Sequence, residues 1–395
     1  MTAGLSRRRL LTLMGSSGLA LGLSPWAVAR SRPHRVVVIG AGILGAAIGY
    51  ELSRRGAQVT LLEKQAPASA TTGDSFAYLN ASTKAASRPY FDLNWQGMIG
   101  WHRWQREFDG HLPLQWNGAV YWRDQPDAAA KLAATLSTVR GWGYPGEVID
   151  ADRLRQLLPT ATSRAISGGC FYEDEGSVDP VAAVRLLLAR AQGMGADVRY
   201  PVRVEGFEVS HGRVQGVRTD QGSLKADTVV VAAGLGSQTL AGLLDIPLPL
   251  TRSEGVLVHT RPLPPLLDRV AFTPDGSLKQ LADGRVIASS GHEGADAEGD
   301  RLQQGRRILH HLARHWPALG EATIERVSVG ERVLPADSFP VVGFTPQVAQ
   351  LYLAVSHSGI TLAPAIGRHA AQEILDGSRV DALAPFRPDR FTRSD

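Results

Sequence analysis

Three glycines at a fixed spacing are the first residues of this chain that could do chemistry. They form a Gly-x-Gly-x-x-Gly motif, written Gly40-Ala41-Gly42-Ile43-Leu44-Gly45. In such a motif the first glycine allows a tight turn, the second lets a pyrophosphate approach the backbone, and the third brings a helix close to a strand. The free N–H groups at the helix N-terminus favour the phosphates. The motif therefore predicts a site for an anionic dinucleotide.

Two strands flank these glycines in the order that such a site needs. Residues 36–39 are all β-branched, which is typical of a buried parallel strand. An apolar-periodic helix follows the glycines, and a second strand over 58–62 brings Glu63 and Lys64 into place about twenty residues after the motif. A carboxylate at that point accepts the hydroxyls of a ribose and repels a 2′-phosphate. The pattern predicts an adenine dinucleotide, with NADP disfavoured.

The composition narrows the classes of function. A chain of 395 residues with 44% hydrophobic content can bury a large core. The net charge is +4, and residues 7–9 alone contribute three arginines, so the rest carries about +1 and nucleic-acid binding is not expected. The single Cys170 excludes an internal disulfide. His311 and His315 have a metal-binding spacing, but no further ligand completes a site, so no metal is predicted.

The first 29 residues predict export. Adjacent arginines at 7–9 precede an apolar run that ends at Leu23, and residues 27–29 offer a small-residue cleavage site. The run is too short to cross a bilayer, and the arginines followed by two leucines are typical of a twin-arginine signal. We expect the twin-arginine translocase to deliver the folded protein to the periplasm or the exterior, with cleavage near Ala29. An ordinary secretory signal is the alternative, and no transmembrane span is expected in the mature chain.

The rest of the chain predicts further strands of the same sheet and a second layer. Residues 229–231 are three valines that lead into Ala232-Ala233-Gly234, small residues of the kind that border a ligand at the carboxyl end of a parallel strand. Small polar residues over 67–80 predict a compact loop. A helix is expected over 90–108, with Leu93, Met98, Ile99 and Trp104 buried and with Trp95 and Trp101 at its flanks. Residues 246–316 predict a mostly antiparallel sheet and one helix.

Four segments, in this order, resemble the FAD-dependent D-amino-acid oxidase superfamily, which includes glycine oxidase, sarcosine oxidase and D-amino-acid dehydrogenase. They are residues 36–63, Val178-Asp179-Pro180 with the helix that follows, residues 229–234, and the paired blocks 330–343 and 356–364. The resemblance covers nearly the whole mature chain.

The resemblance implies an α/β fold with two domains. A Rossmann-like FAD-binding domain would be assembled from the discontinuous segments 34–84, 150–240 and 329–380. An antiparallel-sheet substrate domain would comprise 85–149 and 241–328. The signal peptide, 1–29, and a C-terminal tail, 381–395, would lie outside both domains.

The resemblance also implies which residues hold a noncovalent FAD. Gly359, Ile360 and Thr361 would present backbone N–H groups to the pyrimidine end of the flavin and stabilise the negative charge of the reduced ring. Gly73, Asp74 and Ser75 correspond to the family's loop near the ring. Val202 corresponds to an adenine contact, and Ala233 with Gly234 to pyrophosphate contacts. The cysteine that carries flavin covalently in sarcosine oxidase has no counterpart within 330–343.

Two residues are candidates for work on the substrate. Arg332 stands where amino-acid-oxidising members hold the substrate carboxylate in a two-point salt bridge, for which a planar guanidinium is suited. Family members often have proline directly after this arginine, whereas Val333-Leu334-Pro335 follows here. The alternative is that Arg332 pairs with Glu331 or Asp337 and that Arg252 takes the substrate. His357 is expected beside the substrate because it lies in the block next to the flavin.

These resemblances imply an oxidoreductase that acts on the C–N bond of an amino acid, a D-amino acid or a glycine-like substrate. A hydride would pass to flavin N5, the resulting imine would hydrolyse, and oxygen or a quinone would accept the electrons. A demethylating oxidase of secondary amines is one alternative. A catalytically silent, flavin-binding subunit of an electron-transfer complex and an NAD-dependent dehydrogenase are the others.

Overall fold

The computed structural model describes residues 32–162, 166–290 and 299–392, and the chain from His34 onward forms one unit of structure. The predicted export signal, 1–29, lies outside the described residues. Among the residues that are described, no helix has both the length and the apolar character needed to cross a membrane.

Helices and strands alternate along the described part of the chain. The helices in the described ranges are α1 (Ile43–Arg54), α2 (Arg88–Glu107), α3 (Pro126–Gly141), α4 (Ala151–Leu157), α5 (Pro180–Gly193), α6 (Gly236–Gly242), α7 (Arg301–Leu312) and α8 (Gly359–Asp376). The strands are β1 (Arg35–Ile39), β2 (Gln58–Leu62), β3 (Tyr78–Leu79), β4 (Leu114–Gln115), β5 (Ala119–Arg123), β6 (Glu147–Ile149), β7 (Gly168–Tyr172), β8 (Gly176–Val178), β9 (Asp197–Arg199), β10 (Val204–Ser210), β11 (Arg213–Thr219), β12 (Gly222–Lys225), β13 (Thr228–Val231), β14 (Leu250–Thr260), β15 (Val270–Thr273), β16 (Gly276–Gln280), β17 (Val286–Ser289), β18 (Ile324–Pro335), β19 (Val341–Phe344) and β20 (Leu351–Val355).

A six-stranded sheet, in the order β19-β20-β13-β1-β2-β9, draws its strands from separated parts of the chain. Its central strands β20, β13, β1 and β2 run parallel, and β19 closes one edge in the antiparallel sense. Successive residues of β1 enter opposite cores: Val36 and Val38 lie in the core with α1 and α8, and Val37 and Ile39 lie in the core on the other face. The sheet is therefore buried on both sides, as expected for a doubly covered parallel sheet.

A second, larger sheet has eight strands in the order β18-β14-β17-β16-β15-β5-β7-β6. Most of its pairs are antiparallel, and β5 with β15 is a parallel pair. One face packs on α7 through Val256, Val258 and Ile308. The other face therefore carries the alternate residues, among them Leu257 and His259 of β14. The mixed α/β architecture agrees with the predicted fold class, whereas the domain boundaries stay predictions.

The structure corrects the expected burial of α2. Ile99, expected in the core, is 59% exposed, whereas Trp101, expected at the flank, is fully buried. The reason lies in two glycines, because a Cβ on Gly97 would lie 2.2 Å from Thr361 O and a Cβ on Gly100 would lie 2.4 Å from Pro364 Cβ. The glycine side of α2 thus lies against α8, and Ile99 faces away from that contact.

β9 and α7 both end early. β9 ends at Arg199, two residues before Pro201, which has no N–H to donate to a ladder. His315 was expected to share a helix face with His311, but α7 ends at Leu312, and His315 Nε2 instead lies 2.8 Å from Asp275 Oδ2. The described residues contain no cluster of metal ligands.

Candidate active site

The glycine motif forms a turn that only glycine fits. Gly40 has a φ of +104°, and a Cβ there would lie 2.5 Å from Ala232 O. A Cβ on Gly45 would lie 1.9 Å from Gly40 O, so the third glycine allows α1 to approach β1. Gly42 precedes α1 with an extended backbone, φ −74° and ψ −176°. The glycines thus bring the N-terminus of α1, whose backbone N–H groups favour negative charge, to the end of β1.

The residues expected at the adenosine end gather around this turn. Glu63 Oε2 accepts a hydrogen bond from Ala41 N at 3.0 Å, so the carboxylate lies beside the glycines. Val202 N donates to Glu63 O at 2.8 Å, which places the expected adenine contact next to the expected ribose contact. Lys64 is exposed beside them. The position of a Gly40 Cβ would be 3.0 Å from Ala233 Cα, so Ala233 and its neighbour Gly234 lie against the same turn.

The start of α8 lies beside the glycine turn. A Cβ on Gly359 would lie 3.5 Å from Leu44 Cγ, so the first turns of α1 and α8 are in contact. Trp101 Nε1 donates to Ile360 O at 2.9 Å and holds this turn against α2. His357 is half-buried just before the helix. Gly42 and Gly359 thus lie close enough for one extended molecule to touch both.

The loop between β2 and β3 connects three parts of the site. Ala68 N donates to Ala41 O at 3.1 Å in the glycine turn, and Thr71 Oγ1 donates to Glu331 O at 2.8 Å in β18. Farther along, Tyr78 O accepts from Thr361 Oγ1 at 3.2 Å in α8. The glycine turn, the start of α8 and the edge of the large sheet therefore meet along one loop.

The three predicted loop residues lie inside this junction. A Cβ on Gly73 would be 2.4 Å from Ala68 O, so the loop folds tightly on itself. Asp74 packs on β18, where a Cβ on Gly330 would lie 2.2 Å from Asp74 O, and its carboxylate pairs with Arg326 at 3.1 Å. The Oγ of Ser75 is buried and has no hydrogen-bond partner in the described part of the chain.

Arg332 lies on the same face of β18 as Gly330, because alternate residues of a strand share a face. Its Nη2 donates to Glu254 O of β14 at 2.9 Å, and burial lowers the pKa of the guanidinium. The two acids that offered structural partners are paired with other arginines: Glu331 with Arg252 at 3.4 Å and Asp337 with Arg390 at 2.6 Å. Arg252 has a side chain that is 71% exposed, which favours Arg332 as the better placed of the two candidates.

Two basic residues lie on the face of the large sheet opposite α7, which we call the inner face. Sequence reasoning missed both of them. Lys279 is 1% exposed, its Nζ donates to Val178 O at 3.0 Å, and burial lowers the pKa of the ammonium to about 7. His259 is hydrogen-bonded to Arg326 and Ser328, and burial, reinforced by Arg326, lowers the pKa of the imidazole to about 4. Strand alternation alone gave no sign of which face these residues occupy.

A buried carboxyl and an aromatic cluster were missed as well. Glu175 is fully buried, and its Oε1 accepts from Ser82 N at 2.9 Å and from Tyr144 Oη at 3.1 Å. Its Oε2 is hydrogen-bonded to Tyr78, and burial raises the pKa of the Glu175 carboxyl well above its usual range. Tyr121 stacks on Phe272 with ring centroids 4.2 Å apart. In the sequence Glu175 is the last residue of the acidic run 173–175, and nothing in that run distinguishes it from its neighbours.

Comparison with known proteins identifies the family. Residues 35–373 match the family model described as FAD dependent oxidoreductase, DAO. The chain belongs to this family of FAD-dependent oxidoreductases. FAD is therefore its cofactor, and the NAD-dependent alternative is set aside.

Individual relatives agree with this assignment. The bifunctional protein ThiO/ThiG of Synechocystis is 29% identical over 375 residues, with 90% of this chain covered; the chain spans about half of that relative, 54%. Glycine oxidase of Geobacillus kaustophilus is 26% identical, and the match covers 89% of this chain and 96% of the relative.

Solved structures share the fold. The crystal structure of L-proline dehydrogenase from P. horikoshii superimposes with a TM-score of 0.82 at 21% identity and covers 92% of this chain and 98% of that chain. The crystal structure of Geobacillus kaustophilus glycine oxidase also gives a TM-score of 0.82, at 23% identity, and covers 90% of this chain and 99% of that chain.

The residues of this chain fit FAD. A Cβ at Gly40 or Gly45 would collide with a backbone oxygen, so only glycine permits the tight strand–helix turn that an FAD-binding motif requires. Ser75 Oγ and Ser356 Oγ are buried without a partner among the described residues, and both lie in segments expected around the flavin. Orphaned polar atoms of this kind are unusual in a native structure unless a ligand or water satisfies them. The individual roles of the site residues remain predictions.

Proposed function

We propose that the protein oxidises the C–N bond of a small amino acid, a D-amino acid or a glycine-like substrate. The observation that carries the proposal is the loop between β2 and β3, which joins the glycine turn, the start of α8 and the arginine-bearing face of β18. A cofactor held by the first two would lie next to a cation that suits a carboxylate. Family membership supports an amine or amino acid as the substrate.

Each part of the chain has a separate task in this proposal. Arg332 binds the substrate carboxylate through its planar fork, and His357 lies beside the substrate. The first turn of α8 directs N–H groups and the positive end of its dipole toward the pyrimidine end of the flavin. Phe76 and Tyr78, both half-buried, shield one side of the substrate site from water. FAD held by these residues would supply the ring that takes up a hydride from the substrate, and water would hydrolyse the imine product.

Two alternatives are supported by particular relatives. The 4-methylaminobutanoate oxidase (formaldehyde-forming) of Paenarthrobacter nicotinovorans is 25% identical over 369 residues, which favours demethylation of a secondary amine as a second candidate. One of the subunits of opine oxidase from Agrobacterium tumefaciens is 24% identical over 375 residues and is covered over 97% of its length, which favours a role as one component of a larger complex.

The test is anaerobic reduction of the FAD-loaded protein by a panel of glycine, D-alanine, L-proline and sarcosine. We expect a primary amino acid to bleach the flavin fastest. Arg332→Met should raise the concentration for half-maximal reduction at least about tenfold, because a charge-assisted hydrogen bond contributes about 1.5–3 kcal/mol. Arg252→Met is the matched control and should change it less than about twofold, because exposed charges contribute little.

Each other result points to a different function. Preference for sarcosine with release of formaldehyde would favour the demethylating oxidase. An unchanged half-maximal concentration in Arg332→Met would refute the carboxylate role. Absence of bleaching by the whole panel would favour the silent subunit.

The export signal belongs to this proposal as well. We expect the twin-arginine translocase to carry the FAD-loaded protein to the periplasm or the exterior, where oxygen or a quinone accepts the electrons. Cell fractionation tests this directly: replacing Arg7 and Arg8 by lysine should keep the protein in the cytoplasm. Unchanged export of that double variant would favour the ordinary secretory route.

A further inference from the structure

Lys84 lies next to the start of α8, although it is remote from the glycine motif in sequence. It ends the short 3₁₀ turn Ser82–Lys84 that connects β3 to α2. The segment is fixed to α8 just before this turn, because Asn80 N donates to Thr361 Oγ1 at 3.3 Å. The backbone that carries Lys84 is therefore anchored on the helix turn expected to face the flavin.

One aromatic ring separates the Lys84 ammonium from the first residue of that helix end. The Nζ of Lys84 lies 5.6 Å from the centroid of the Tyr90 ring. Tyr90 Oη in turn donates to Ser358 Oγ at 2.7 Å, and Ser358 is the N-cap of α8. The Tyr90 side chain thus links the Lys84 ammonium to the N-terminal end of α8, which carries the positive end of the helix dipole.

The Lys84 ammonium differs from the arginines on the large sheet because it has no acidic partner among the described residues. Arg326 pairs with Asp74 and Arg252 with Glu331, whereas Lys84 forms no salt bridge with any described residue. A half-buried charge without a partner costs free energy, and burial lowers the pKa of Lys84 to about 8. It remains mainly an ammonium at neutral pH.

A second orphaned group lies at the same helix end. Ser356, two residues before the N-cap, is 8% exposed, and its Oγ has no hydrogen-bond partner among the described residues. A ligand that satisfies this hydroxyl would reach the start of α8. Two unpartnered polar groups beside one helix terminus indicate a ligand that brings acceptor atoms or negative charge to it.

We propose that Lys84 is an electrostatic residue of the flavin site, and that its ammonium stabilises the negative charge of the reduced flavin at the pyrimidine end. The proposal rests on the flavin orientation used in the proposed function, with that end at residues 359–361. In this proposal the Lys84 cation acts together with the helix dipole, and Lys84 raises the reduction potential of the bound flavin.

The experiment compares Lys84→Met with the charge-conserving Lys84→Arg in FAD-loaded protein. Lys131→Met, which removes an exposed lysine of α3, is the matched control. Two quantities are measured without any amine substrate: the two-electron reduction potential, by equilibration with a reference dye, and the affinity for sulfite, which probes positive charge near the ring. Lys84→Gln repeats both measurements if Lys84→Met does not retain FAD.

We expect neutral Lys84 variants to weaken sulfite binding about tenfold and to lower the equilibrium constant for flavin reduction about tenfold, which corresponds to about 30 mV for two electrons. Lys84→Arg and Lys131→Met should each stay within about twofold of the unaltered protein. A neutral variant that retains FAD with unchanged potential and sulfite affinity would overturn the proposal. Equal losses in Lys84→Arg and Lys84→Met would also overturn it, because they would show a packing effect.

These outcomes are independent of the substrate. If no amine bleaches the flavin but neutral Lys84 variants still lower the potential, the proposed function fails and the role of Lys84 stands. If amino acids bleach the flavin and the potential is unchanged in Lys84→Met, only the role of Lys84 fails.

Discussion

Gly42 offers a way to impair FAD binding without disturbing the protein fold. Its φ of −74° is allowed for any L-residue, and a Cβ there would meet only Thr72 Oγ1, at 3.2 Å, among the described residues. Gly45 is the contrasting case, because its Cβ would lie 1.9 Å from a backbone oxygen. Gly42→Ala should therefore fold, whereas Gly45→Ala should be strongly destabilised.

The size of the two effects follows from these contacts. Alanine is a poorer N-cap than glycine by a fraction of a kcal/mol, and the Thr72 hydroxyl has to shift by a few tenths of an ångström, so we expect the apoprotein to lose less than about 1 kcal/mol. A methyl group at the N-terminus of α1 would push a pyrophosphate away from the backbone. Loss of one charge-assisted hydrogen bond, about 1.5–3 kcal/mol, corresponds to FAD binding weaker by roughly 10- to 150-fold.

The assay is titration of the apoprotein with FAD, followed by quenching of flavin fluorescence, with urea unfolding of the apoprotein alongside. Gly141→Ala is the matched control, since its Cβ would meet no described atom within 4 Å. It should leave the FAD affinity unchanged and raise the free energy of unfolding by no more than about 1 kcal/mol, because alanine restricts the unfolded chain more than glycine does. FAD affinity in Gly42→Ala equal to that of the unaltered protein would refute the assignment of this turn to the pyrophosphate.

Three further outcomes follow from the structure. Gly97→Ala should lower the free energy of unfolding by about 1–3 kcal/mol, because its Cβ would lie 2.2 Å from a carbonyl oxygen in the first turn of α8 and overpack that contact. Thermal unfolding checks this, with Gly141→Ala as the control. Stability should fall as the pH drops from 6.5 to 4, with His259 contributing at most about 3 kcal/mol, because burial lowers its pKa to about 4 and the unfolded chain takes up the proton first. Urea midpoints of His259→Gln should show a smaller slope, and the remainder should come from His369, whose pKa burial also lowers to about 4. Arg387→Met should lower the free energy of unfolding by about 3–5 kcal/mol, because Glu373, which lies 2.5 Å from the guanidinium, would be buried without its cation. In the same assay, a double variant that also carries Glu373→Leu should regain most of the lost stability.

The nucleotide end of the site could be inferred from sequence because its requirements are local. A run of β-branched residues, three glycines and one acid at a set spacing determine the turn, and the structure places Glu63 beside Ala41 as this pattern requires. The contact between Gly359 and Leu44 needed the resemblance as well, since no local rule joins segments more than 300 residues apart.

The inner face of the large sheet could not be inferred in the same way. Alternation shows that Lys279 and Leu278 point to opposite faces, but only the tertiary structure shows that both faces are covered. A buried lysine contradicts the usual assignment of charge to the solvent side. The predicted orientation of α2 was wrong for a related reason. The glycines that bring α2 against α8 carry no apolar signal, so Ile99 was assigned to the wrong side.

The order of strands in the six-stranded sheet has a consequence for how the protein is made. β13 pairs with β1 on one side and, through Val230 and Tyr352, with β20 on the other. A nascent chain that stops short of residue 351 leaves one edge of β13 open, and an open edge is where another unfinished polypeptide can add. The cofactor site is thus completed only after residues 351–376 have been synthesised and have joined the sheet. If the N-terminal arginines direct export of the loaded protein, the translocase has to wait until this segment has folded.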